Sequence, residues 1–263
     1  MTEIEKLITL ARRYCIENIH YWTDYYTKSK TENSIKYDYS QHDYNVFPRY
    51  QTAEAILRGV ETLVGKEFEN IENCKKEIKE LGLTSESAFT TGRLKGLQSL
   101  AIQNARQQFI NYIDEITADQ LEKVEPLPYR RTLLEVEADL VRSRLNKYWN
   151  FDGGYWEPLT PCCIKPFIFF NKENLSERDF KIIKDIILCF QDNTIYEISE
   201  QRYDYEIAKS EIDIDCCETI HTNKNFEWII YGSHEGTIAF GGELLLAELD
   251  EKLSDKRELK NKW

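Results

Sequence analysis

The spacing of the apolar residues changes along the chain, and that change limits the fold more than any other feature of the sequence. Ile4, Leu7, Ala11, Tyr14, Trp22 and Tyr25 recur at steps of mostly three or four, which places them on one face of a long helix. Ala53, Ile56, Val60 and Leu63 repeat the pattern over 51–65, and a shorter helix spans 69–81 before Gly82. Phe89, Leu97, Ala101, Ala105, Phe109, Tyr112 and Ile116 predict a further helix over 85–116. Gly92 and Gly96 within it read as a place of close packing in a bundle. The polar, aromatic-rich stretch 27–49 reads as a long loop ending around Pro48. Pro126 and Pro128 bound an extended connector, and Thr132 with Glu135 forms a capping pattern that opens a helix to Trp149.

Beyond that point the period falls towards two. IKPFIFF is a compact apolar strand, and Ser176 with Asp179 caps a helix ending near Phe190. IYEIS, YDYEIA, EIDIDCCETI, FEWIIY and GTIAFGG are short, alternating or β-branched, and separated by short polar turns, which argues for an antiparallel sheet. Leu245, Leu246, Leu249 and Leu253 lay a closing helix, 243–260, on that sheet. The expected architecture is α+β, an all-helical N-terminal half followed by an antiparallel sheet with flanking helices. Two glycines and two prolines among the aromatics of WNFDGGYWEPLTP place the boundary near residue 151, giving a helical bundle domain over 1–150 and an α+β domain over 151–263.

The chain is long enough, at 263 residues with 41% hydrophobic and 30% charged side chains, to bury a substantial core without staples. It opens without the build of a secretory signal, and its longest apolar stretch, Ile182–Phe190, is broken by Lys184 and Asp185. A cytoplasmic protein with no membrane contact is expected. Seven cysteines, with adjacent pairs at 162–163 and 216–217, suit neither a disulfide framework nor CxxC zinc spacing, so reduced thiols that pack as small apolar residues are expected.

Charge is distributed unevenly. Residues 1–150 carry 21 Lys and Arg against 23 Asp and Glu, whereas residues 151–263 carry 13 against 23. Between Asp192 and Glu218 nine acids face two bases, Arg202 and Lys209. A field of one sign disfavours direct nucleic-acid binding, which needs cations against phosphate, and favours a basic protein partner. The residues that fit this role are Tyr203, Asp204, Tyr205, Glu206, Asp213 and Asp215, with the tyrosines as amphipathic anchors. The same acids also suit the wet face of a sheet, kept soluble and blunt-edged with no partner.

Few residues offer catalytic or metal chemistry. Asp38, His42 and Asp43 hold donors suited to zinc or iron, in a spacing that matches no ligand pattern. His234 beside Glu235 lies in a glycine-flanked turn, where it suits either general acid–base work or simply a wet hairpin tip. Cys217 with His221 or His234 is a conceivable nucleophile pair that nothing in the sequence orients. No GxSxG, P-loop, dinucleotide fingerprint, HExxH or EF-hand loop occurs, so no cofactor or resident metal is expected and an enzyme is disfavoured. Trp149, Tyr155 and Trp156 serve either an interface or the junction between halves.

The segments 129–159, YRRTLLEVEADLVRSRLNKYWNFDGGYWEPL, and 227–242, EWIIYGSHEGTIAFGG, resemble pieces of uncharacterised bacterial proteins, some of the immunity type that accompany polymorphic or contact-dependent toxins. The resemblance implies a cytoplasmic antitoxin that binds and blocks one protein partner, often a basic nuclease, and it carries over no site residues. The leading expectation is therefore a non-enzymatic, immunity-type inhibitor of a basic protein such as a toxin domain. The rival is a small hydrolase or other defence-associated enzyme with a site between the halves, built from His42, Asp43, His234 and Glu235.

Overall fold

A computed structural model describes residues 1–31, 40–91, 96–153, 156, 166–200 and 203–262, with the side chains of 30 and 31 left aside. The chain divides into two compact units, Met1–Leu127 and Pro128–Trp263. The fold class is α+β.

The first unit is helical. It contains α1 (Glu3–Thr31), α2 (Asp43–Glu61), α3 (Ile71–Thr84), α4 (Gly96–Glu115) and the short α5 (Ala118–Lys123). Leu7, Ile8, Ala11 and Cys15 of α1 meet Ile56 and Val60 of α2, Cys74 and Ile78 of α3, and Phe109 and Ile113 of α4 in one core. A buried ion pair joins Arg12 to Glu61 at 3.1 Å across the same interface. The starts of α2 and α3 have a chemical cause. Asn70 Oδ1 accepts the Asn73 N–H at 2.9 Å to begin α3, and Ser40 and Asp43 cap α2 reciprocally, with the Asp43 carboxylate accepting the Ser40 N–H at 2.7 Å. At the C-terminus of α3 the Arg106 guanidinium donates to the carbonyls of Gly82 and Ser85.

Two expectations change here. Much of the loop foreseen over 27–49 is helical, because α1 runs on to Thr31 and α2 begins at Asp43, with Pro48 inside it. Asp38 lies outside the described residues. The helix foreseen over 85–116 begins at Gly96, and Ser87 and Thr90 tie a turn ahead of it, while Gly92 lies outside the described residues.

The second unit is a seven-stranded, wholly antiparallel sheet in the order β1-β4-β3-β5-β6-β7-β2. The strands are β1 (Arg130–Thr132), β2 (Phe167–Asn171), β3 (Thr194–Ser199), β4 (Asp204–Ala208), β5 (Thr219–Thr222), β6 (Ile229–Gly232) and β7 (Thr237–Gly241). Alternate residues feed two cores. Phe170, Ile195, Ile207, Ile230, Ile238 and Phe240 pack under α7 (Glu177–Cys189) and α8 (Glu243–Lys252). Phe169, Ile198, Ile220, Ile229, Tyr231 and Ala239 point the other way and pack with Val141, Leu145 and Trp149 of α6 (Glu135–Trp149). Three layers result. The Ser176–Asp179 capping box starts α7 as the sequence indicates.

Helix α6 therefore belongs with the sheet, and the division falls at Leu127–Pro128 in place of the boundary expected near 151. Arg130–Thr132, which precedes it, is already an edge strand paired with β4. Trp149 and Trp156 join the core beneath α6, with Trp156 Nε1 donating to Trp149 O at 2.7 Å, while Tyr155 lies outside the described residues. EIDIDCCETI is not one strand either. Residues Lys209–Glu211 form a 3-10 turn, and β5 starts only at Thr219. The alternation is real in burial, since Ile212, Ile214 and Cys216 point inward, but these residues have no ladder partner. The closing helix is also shorter than expected, with α8 ending at Lys252 ahead of a 3-10 segment, Ser254–Leu259.

The outer edge of β2 is closed by the C-terminal tail. Phe169 N donates to Asn261 Oδ1 and Phe169 O accepts the Asn261 N–H, both at 2.9 Å. Among the described residues no helix is long and apolar enough to cross a membrane.

Candidate functional site

At one end of the sheet the α7–β3 connection, the β5–β6 loop and the corner between β7 and α8 surround a cleft of about 710 Å³. Its walls include Phe190 and Asp192 from the first, Asn223, Glu227 and Trp228 from the second, and Glu243 from the third. Asn223 organises the acidic side. Its buried amide donates to Glu227 Oε2 at 2.8 Å and to Asp192 Oδ2 at 3.2 Å, and its Oδ1 accepts the Glu227 N–H at 2.9 Å. Trp228 and Phe190 form the aromatic side, with ring centroids 6.0 Å apart.

The backbone that holds these groups is unusual. Phe226 sits at φ 59°, a left-handed conformation that is costly for a bulky residue. It is paid for by burial of the ring, which stacks on Tyr148 and Tyr196, and by the Trp149 indole, which donates to Phe226 O at 3.1 Å. Gly242, at φ 112°, closes the corner, and a side chain there would press on Glu227 O and the Trp228 backbone.

Among the described residues no Lys, Arg or His pairs with Asp192, Glu227 or Glu243. The nearby bases are used elsewhere. Lys224 of the same loop pairs with Glu206 at 2.5 Å, and Lys209 donates to the Phe190 carbonyl at the end of α7. Trp228 is only 4% exposed, yet its indole N–H has no acceptor among the described residues. The cleft thus offers three carboxylates, an unused donor and two aromatic rings.

The residues singled out for binding from the sequence fall differently. Tyr203 is exposed, as expected. Asp204, Tyr205 and Glu206 are buried, contrary to expectation. Asp204 receives the Arg142 guanidinium on both oxygens, at 2.6 and 2.7 Å, and Arg130 lies 3.7 Å over the Tyr205 ring. Glu206 accepts from Arg131, Lys224, Thr194 and Tyr129; burial pushes its carboxyl up, but these partners bring it down to about 2. Asp213 is exposed, and Asp215 is exposed and pairs with Lys172 at 3.0 Å. Of the cleft acids only Asp192 lies in the acid-rich run. Glu227 reads as the start of a strand and Glu243 as an ordinary first-turn acid of α8, so neither carries a signal of its own.

The histidines are also rearranged. His42 is exposed and rests 5.5 Å from the Tyr25 ring, while Asp43 is buried as a helix cap. His42 and Asp43 belong to the first unit and His234 and Glu235 to the second. His234 Nδ1 faces Glu218 Oε1 at 3.4 Å, not Glu235. His221 is fully buried, with Nε2 3.3 Å from Glu197 Oε2. Burial opposes its charge, but Cys216 and Glu197 outweigh that and raise its pKa to about 9. Glu197 is brought down to about 2 against its own burial by His221 and Arg130. The thiol beside His221 is therefore Cys216; Cys217 is exposed. Cys15, Cys74, Cys189, Cys216 and Cys217 are free thiols, and Cys162 and Cys163 lie outside the described residues.

No family model, curated protein or solved structure matches the chain.

Proposed function

We propose that the chain is a binding protein that receives a cationic side chain of a basic protein partner in the acidic, aromatic cleft, and that it acts as a cytoplasmic inhibitor of the immunity type. The observation that carries this reading is the convergence of Asp192, Glu227 and Glu243 on one cleft without a basic partner among the described residues, beside Trp228 and Phe190. A guanidinium suits such a place. Its planar face stacks on an aromatic ring while its N–H fork bonds carboxylates, and an adjoining carbonyl of the partner can accept the free Trp228 N–H. The net charge of −12 adds long-range attraction for a basic surface. The segment 227–242, singled out in the sequence, contributes Glu227 and Trp228 to the cleft.

The test is capture of a partner from the native host at low and high salt, with the full chain and with Asp192→Asn/Glu227→Gln/Glu243→Gln as baits. One stoichiometric basic protein, released by salt and lost from the variant, is the expected result. A partner that binds both baits equally places recognition elsewhere.

A further inference from the structure

At the end of the sheet opposite the cleft, three neighbouring strands each bring one metal-ligating residue to a single point. Glu200 directly follows β3, Glu218 directly precedes β5, and His234 lies in the turn from β6 to β7. The register sets this convergence. Ser199, Thr219 and Gly232 are aligned across β3, β5 and β6, and the bond from Glu200 N to Glu218 O, at 3.0 Å, extends the row by one step. Ser233 N donates to Thr237 O at 2.9 Å, and Gly236 at φ 77° allows the tight turn that carries His234.

We propose that Glu200, Glu218 and His234 form a binding site for a divalent ion of borderline softness, with Zn²⁺ the best fit. Their donor atoms all lie within 4.8 Å of one another. The Glu218 Oε1 to His234 Nδ1 separation of 3.4 Å equals the edge of a tetrahedron whose metal–ligand bonds are about 2.1 Å. One pair of ligands is thus already at its coordinated spacing, and the third carboxylate closes by side-chain rotation. Glu200 is also oriented from behind. The hydroxyl of Tyr231, a residue 5% exposed, donates to its Oε1, as a partner outside the coordination sphere does for a ligating carboxylate.

The donor set selects among ions. One imidazole nitrogen with two carboxylates suits zinc and other first-row ions, whereas calcium and magnesium take all-oxygen surroundings. Three protein ligands leave a fourth position for water or for a donor from another molecule. Among the described residues no Lys or Arg pairs with Glu200 or Glu218, so a doubly charged ion neutralises two carboxylates that otherwise repel. His234 is exposed at the hairpin tip, which gives the ion a way in. This site shares no residue with the cleft and does not rest on the proposed inhibitor role.

Isothermal titration of the chelator-treated full chain with Zn²⁺ tests it, alongside His234→Ala, Glu218→Gln and Tyr231→Phe. The expected result is one ion per chain, at least tenfold weaker binding in each of the first two variants, and a smaller loss in the third. Melting temperatures in chelator, unchanged for His234→Ala and Glu218→Gln, establish that both variants fold. Absence of binding overturns the proposal. So does Zn²⁺ binding that survives His234→Ala and Glu218→Gln, which assigns the ion to cysteine thiols.

Discussion

The acids of β4 and the acids of the cleft lie in the same unit but meet opposite fates. Asp204 and Glu206 are drawn into the sheet, where Arg142, Arg131 and Lys224 consume their charge. Asp192, Glu227 and Glu243 sit on loops and at a helix start, and no described base reaches them. The comparison shows that local density of acidic residues does not measure available charge. What matters is whether the fold delivers a base to each carboxylate, and that depends on contacts distant in sequence.

The difference can be broken from the β4 side first. Arg142→Ala strands a buried carboxylate and should cost about 3–5 kcal/mol in denaturant unfolding. Neutralising the cleft acids as amides should cost no more than about 1 kcal/mol, since Asp192→Asn and Glu227→Gln each keep an oxygen that can accept the Asn223 N–H. A comparable loss at both places would remove the distinction between them.

Acidity sharpens the comparison next. Glu197 and Glu206, lowered to about 2 from an ordinary 4.5, give stability that is full above about 4.5 and fades as pH falls towards 2. His221, raised to about 9 from 6.5, gives stability that is full below about 6.5 and fades as pH rises through 9. The melting temperature should therefore be highest between about 4.5 and 6.5 and fall on either side. His221→Gln should flatten the alkaline limb and weaken the acid limb in part, since Glu197 then keeps only Arg130 to hold it down, as thermal scans across pH will show.

From the cleft side, the triple Asn/Gln/Gln variant should slow association with a basic partner about tenfold at low salt, and by less at high salt, in stopped-flow or surface-binding kinetics. The smallest effect is expected from Trp228→Phe. It removes an indole N–H that has no acceptor among the described residues but also trims a ring packed in the core, so stability should fall by about 1 kcal/mol while partner dissociation quickens a few-fold.

Much of the fold is legible because period and capping are local. The switch from steps of three or four to steps of two separates a helical beginning from a sheet, and Ser176 with Asp179 announces α7 three residues ahead of its first turn's end. The division between units is not legible in this way, since Val141, Leu145 and Trp149 repeat alike whether a helix packs on helices or on a sheet. Pro48 misleads for a related reason, as proline usually marks a boundary yet here lies within α2. Residues 212–217 alternate without pairing, so their period records which side faces the core and not membership of a ladder. The cleft is the least legible part. Asp192, Asn223, Glu227 and Glu243 come from three separate connections, and only strand order brings them together.

The closure of β2 by Asn261 has a practical consequence for handling the protein. Phe167–Phe170 is an apolar edge strand whose N–H and C=O groups at Phe169 are bonded to that tail residue. Trimming the chain at Lys260 uncovers them, leaving a template on which a second molecule can add a strand. A shortened chain should then keep its core and its melting temperature nearly intact, yet lose yield and precipitate on concentration. Expression designs should accordingly preserve the final residues and place any fusion tag at the other terminus.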